Sequence, residues 1–301
     1  GTLFKRRSEA TTWPSQRLQT RQSVPPQTRL DLSDEQVAYP AYSSGTATID
    51  LLFYHEAGMN TPTAIADFVI ELTNQAMADS QIDLTINIVG VRPLEIAPSL
   101  SQADALEKMF NAETPFAEIK NDRTFYGADL VVLLRENVPE EEDACGAAYV
   151  GVYDGAPFRS AYVAVIHWLP VENATGNTYC TDTTTAHEIG HMLGSLHERR
   201  IEEANDAGAY PFSFGHYRQG VFHTIMSYGD EPEVAVFSNP NINDCVNQAC
   251  GLAEGDSESA DNARGFSQTR FMLAGYESDN IASELITDFA VDETCVLEGG
   301  G

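Results

Sequence analysis

One short run limits this chain more than any other stretch: residues 187–198 read His-Glu-Ile-Gly-His-Met-Leu-Gly-Ser-Leu-His-Glu. His187 and His191 stand four positions apart, so on a helix both imidazoles leave one face toward one point. Glu188 lies about 100° round the same helix from His187, near enough to hold a water between the imidazoles without displacing them. Gly194 comes one turn after His191, and glycine readily takes the left-handed conformation that ends a helix and swings the chain round. That reversal returns His197, three residues later, as a third ligand. Three neutral nitrogens suit zinc and leave a fourth position open to water, which is the arrangement of a catalytic site and not a structural one. A bare H-E-x-x-H would say little, because paired histidines on a helix are often only surface polars. The extended pattern is specific.

Around this run the apolar pattern alternates between strand and helix. Ala47 to Tyr54 reads as a strand. Pro62 stands where a first helical turn accepts it, and Ile65, Phe68, Val69, Leu72 and Ala76 follow at helical spacing. Ile82 to Val91 alternates as a second strand, and Ser101 caps a helix through Phe110, with Asp104 three residues on. Leu130-Val131-Val132-Leu133-Leu134 is the continuous apolar run of a buried central strand, and Ala161 to Trp168 makes another, ended by Pro170. The alternation predicts a mixed α/β sheet. Beyond residue 180 the strand signals fade, leaving the histidine helix, long loops and a last helix near Ser257–Tyr276. There is no internal repeat, and no apolar run long enough for a membrane-spanning helix.

Lys plus Arg number 17 against 45 Asp plus Glu, a formal charge of −28. Such a surface repels nucleic acid and anionic membranes, so neither is an expected partner. The acidic surplus invites Ca²⁺, but no D-x-[DN]-x-[DN]-G loop occurs and no calcium site can be located. The charge is uneven. Residues 1–29 hold Lys5, Arg6, Arg7, Arg17, Arg21 and Arg29 against Glu9, a net of +5, which leaves −33 on the rest. Residues 1–45 form an irregular basic leader with Pro14, Pro25, Pro26 and Pro40, and residues 278–301 an acidic tail or linker. Cysteines in polar loops point to an oxidising compartment, so secretion is expected, with any export signal already removed. Cys245 and Cys250 bracket a short polar loop and are expected to close a small ring; Cys145 with Cys180 is a second candidate pair, leaving Cys295 over. Nothing fixes an oligomeric state.

With its H-E-x-x-H-x-x-G-x-x-H run, the chain resembles the metzincin zinc metallopeptidases. Those enzymes have a methionine in a tight turn beneath the metal, and Thr224-Ile225-Met226-Ser227-Tyr228-Gly229 fits, with Met226 as the implied Met-turn residue. Phe237-Ser238-Asn239-Pro240 and Ala260-Asp261-Asn262-Ala263-Arg264 look like bacterial reprolysin-like and peptidyl-Asp metallopeptidase relatives. Glu198 after the third histidine, and Tyr228 two residues past the methionine, are astacin-like; the tyrosine is also serralysin-like. The resemblance implies an α/β (α+β) metzincin-like fold over residues 46–277. An upper subdomain, 46–194, would be a mixed twisted sheet with an edge substrate strand and backing helices. A mainly irregular or helical lower subdomain, 195–277, would carry the Met-turn.

The implied activity is hydrolysis of protein or peptide substrates by a secreted zinc endopeptidase. Glu188 would be the base that takes a proton from the attacking water. Tyr228 is either an oxyanion-stabilising phenol or a packed Met-turn tyrosine. Ala161, Tyr162, Val163 and Ala164 are the candidate substrate strand, unless they are an ordinary core strand. His55, His167, His216 and His223 stand outside any ligand spacing and read as structural or surface residues. Two other readings compete. In one the leader covers the cleft of a latent zymogen: no cysteine precedes Cys145 to block the metal, which leaves Asp31 or Asp34. In the other the chain binds zinc without hydrolysis, against which the intact Glu188 speaks.

Overall fold

A computed structural model describes residues 45–136, 145–157, 162–167, 181–202, 208–229 and 231–277. The leader with Asp31 and Asp34, the tail, Ala161, Cys180 and Cys295 lie outside these.

The first half builds a sheet. Strands β1 (Ala47–Glu56), β2 (Leu84–Leu94), β3 (Leu130–Arg135) and a later strand β7 (Val163–His167) run parallel, with the short β4 (Gly146–Ala148) antiparallel at the end, in the order β2-β1-β3-β7-β4. Between them come α1 (Pro62–Asp79), α2 (Gln102–Asn111), α3 (Ile119–Tyr126) and the small hairpin of β5 (Val152–Tyr153) and β6 (Ala156–Pro157). β3 and β7 are buried along their whole lengths, as parallel strands covered on both faces must be. The expected strands and helices are present. Pro62 opens α1, and the Ser101 side chain accepts from the Asp104 N–H to cap α2. Where β1 and β3 end, the fully buried Arg135 donates to Glu56 at 3.0 Å and to the Leu100 carbonyl, so its charge is paired and hydrogen-bonded.

The second half has little regular structure. It holds α4 (Thr184–Met192), a three-stranded sheet of β8 (Tyr217–Arg218), β9 (Phe222–Thr224) and β10 (Glu233–Val234), and α5 (Asn262–Leu273). Side chains do the fastening there. Ser238 Oγ donates to the Phe214 carbonyl and accepts from the Asn262 N–H, while Asn239 and Phe237 both bond Ser80 at the end of α1. Cys245 and Cys250 form the expected disulfide, which with Phe222 and Ile242 makes a small second core. The pairing of Cys145 with Cys180 falls outside the described residues.

One expectation is corrected. Within the candidate substrate strand, the described residues Tyr162, Val163 and Ala164 do not form an edge of the sheet. β7 is flanked by β3 and β4, and Val163 and Ala164 are wholly buried, with Tyr162 nearly so. The terminal strand on that side is β4. An apolar run such as Val163–Ile166 reads as strand wherever it sits in a sheet, whereas Gly146-Ala147-Ala148 is too short and too small to produce a pattern.

Candidate metal centre

α4 packs against β4 and β7, and carries His187, Glu188 and His191, all three buried. The helix ends as its glycine requires. Gly194 has φ +98°, and a Cβ there would lie 2.6 Å from the Ala209 Cβ and 2.8 Å from the Val152 carbonyl oxygen. Both the conformation and the space are therefore closed to other residues. The chain then turns back through the bridge of Leu196 to Phe214 and delivers His197.

The three histidines converge. One ligand atom from each of His187, His191 and His197 lies within 4.8 Å of the others, and this is the cluster of possible metal ligands found among the described residues. Nε2 of His191 stands 3.1 Å from Nε2 of His197. The outer nitrogens are held from behind. Nδ1 of His187 donates to the Ile225 carbonyl at 2.7 Å, and Nδ1 of His191 to the Ser195 carbonyl at 2.8 Å. A donating Nδ1 fixes the tautomer whose Nε2 lone pair faces inward, as metal ligation needs. Burial, then the neighbouring His191 and His197, hold His187 well below the usual imidazole pKa; burial and His197 bring His191 down to about 3. Both are neutral bases at ordinary pH. A tight group of neutral imidazoles with inward lone pairs fits a zinc ion.

Glu188 is 5% exposed and lies against β4, so closely that a Cβ on Gly146 would strike its carboxylate. Burial alone pushes its pKa up to about 8, an environment that a dication next to it would offset. Below the helix, Met226 is fully buried, and a Cβ on Gly190 would overlap its sulfur. The methionine turn is thus pressed directly against the histidine helix. Tyr228 is 44% exposed overall, yet its hydroxyl is turned inward, 3.2 Å from Nε2 of His187 and 3.1 Å from Nε2 of His197. Burial of that hydroxyl, with the charges of Glu188, Glu198 and Glu202, pushes its pKa upward, so it stays a neutral phenol.

The sequence did not signal what holds Tyr228. The buried Glu198 accepts from the Tyr228 N–H at 3.0 Å and pairs with Arg200 at 2.8 Å, while Arg200 donates to the Tyr228 carbonyl and stacks on the Tyr217 ring. The irregular segment after the third histidine is thereby tied to both the N–H and the carbonyl of Tyr228. His55, His167, His216 and His223 are all buried and outside the cluster. No helix among the described residues is long and apolar enough to cross a membrane.

The description "Metallo-peptidase family M12B Reprolysin-like" matches residues 47–255. The chain is similar to a peptidyl-Asp metalloendopeptidase of Stenotrophomonas maltophilia (strain K279a), 26% identical over 224 residues, covering 71% of this chain and 48% of that protein. It is also similar to a peptidyl-Asp metalloendopeptidase of Xanthomonas campestris pv. campestris, 26% identical over 220 residues and covering 71% and 46%. The chain thus spans about half the length of the curated relatives it matches. Among solved structures, one described as a chaperone-substrate complex shares the fold, with a TM-score of 0.58 at 17% identity over 78% of this chain and 40% of that one.

Proposed function

The chain belongs to the reprolysin-like M12B metallopeptidases, and from that premise we propose that it is a secreted zinc-dependent endopeptidase with Glu188 as general base. The convergence of His187, His191 and His197 beside a buried carboxylate carries this reading. His187, His191 and His197 would hold the zinc, which when bound supplies the Lewis acidity that polarises a carbonyl and acidifies a water.

The protein's own groups do the rest. An extended peptide pairs its main chain with β4, the terminal strand that runs past Glu188. Glu188 takes a proton from the water as its oxygen adds to the scissile carbonyl carbon, and returns it to the nitrogen as the C–N bond breaks. The neutral Tyr228 hydroxyl donates toward the carbonyl oxygen as negative charge builds there. The name of the relatives makes aspartyl bonds the first substrates to try. The Cys245–Cys250 disulfide supports an extracellular setting.

The test is cleavage of an unfolded protein by the zinc-loaded chain, with and without a chelator, beside Glu188→Ala. Chelator should stop cleavage and zinc restore it, and the variant should lose about 10²–10⁴-fold in rate while still binding zinc. A variant as active as its parent would remove Glu188 from the mechanism.

A further inference from the structure

Each histidine of the cluster turns Nε2 inward and leaves Nδ1 to the protein, but the three outer partners differ. His187 and His191 give theirs to backbone carbonyls inside buried structure. His197 gives its Nδ1 to a carboxylate: Glu202 Oε1 accepts it at 2.8 Å, and accepts the backbone N–H of His197 at 3.2 Å. The same oxygen therefore grips both the ring and the main chain of one residue. Residues 197–202 have no helix or strand to hold them, and the His197 side chain is 26% exposed. A turn closed by the Ile201 N–H on the Glu198 carbonyl, at 3.1 Å, brings Glu202 back to the histidine.

Building on the zinc site proposed above, we propose that Glu202 is a positioning residue for the metal centre, whose carboxylate fixes His197 and sets how tightly the three-histidine cluster retains its ion. Two effects combine. The double hydrogen bond removes the freedom of the ligand that has least support from regular structure, so less ordering accompanies metal capture. A carboxylate on Nδ1 also makes the opposite nitrogen a better donor than a carbonyl does, and brings a negative charge near a dication. An isolated surface ion pair would do neither, because it would leave the histidine free to rotate.

The experiment measures zinc dissociation constants of the apo chain by competition with a chromophoric chelator, for the parent, Glu202→Ala and Glu202→Gln, with the melting temperature of each apo form recorded alongside. Glu202→Ala should bind zinc about 10–100-fold more weakly than its parent while its apo melting temperature stays close. Glu202→Gln, whose amide oxygen still accepts from Nδ1 without the charge, should fall between them, and should also alter the visible spectrum of the cobalt-substituted chain. Zinc affinities within about twofold of the parent in both variants would overturn the proposal. If Glu202→Ala does not fold, Glu202→Gln decides by the same criterion. A parent chain that takes up no zinc would instead overturn the three-histidine reading from which this one starts.

Discussion

The two sides of Gly194 solve one problem by different means. Before it, His187 and His191 ride on α4, buried, with their outer nitrogens on main-chain carbonyls. After it, His197 has no regular element beneath it and is held by polar ties: Leu196 to Ser213, Glu198 to the Tyr228 N–H, and Glu202 to His197 itself. A helix places side chains by its own ladder and needs only packing to stay put. An irregular segment must have its backbone groups satisfied one at a time, and side-chain carboxylates take over that task. Two ligands are thus placed by periodicity and the third by a network, which predicts that the two sides respond differently to damage.

The largest difference should follow removal of a ligand on each side. His187→Ala and His197→Ala should both weaken zinc binding by more than about 100-fold, beyond the effect of losing an outer-shell partner. Only His187→Ala should also lower the melting temperature of the apo chain, because His187 is 7% exposed and its Nδ1 joins α4 to the methionine turn. Equal apo melting temperatures would break the comparison. A smaller effect is expected at the joint. Gly194→Ala forces a side chain into φ +98° and against Ala209, costing about 1–3 kcal/mol, seen as a drop of several degrees in thermal unfolding. If it melts with its parent, the reversal after α4 does not depend on that glycine.

The same division explains how much was legible in the sequence. α1 and α2 announce themselves because apolar residues repeat along them at helical spacing, with Pro62 and the Ser101 cap marking their starts, and β1 and β3 because they are short, densely apolar runs buried over most or all of their length. The histidine run is legible from helical spacing up to Gly194, and the reversal that a glycine permits there points on to His197. α3 gave no signal, since Ile119 is its one buried residue. β8, β9 and β10 are two or three residues long, and β4 is a glycine and two alanines, so no period can develop in them. The misplaced substrate edge has that origin: the apolar strand β7 was visible and its small neighbour β4 was not. The contacts of Glu198, Arg200 and Glu202 were silent because the first two reach Tyr228 from far along the chain and the third acts across a turn, where spacing says nothing about contact.

The central claim is that one metal ion is held by imidazoles from both sides of Gly194. X-ray absorption at the zinc edge of the zinc-loaded chain, with metal content measured on the same sample, tests it most directly. The account predicts one zinc per chain with three imidazoles in its inner shell, His187, His191 and His197, and only two imidazoles once His197 is replaced by alanine. Sulfur in the inner shell, or a spectrum unchanged by His197→Ala, would contradict it.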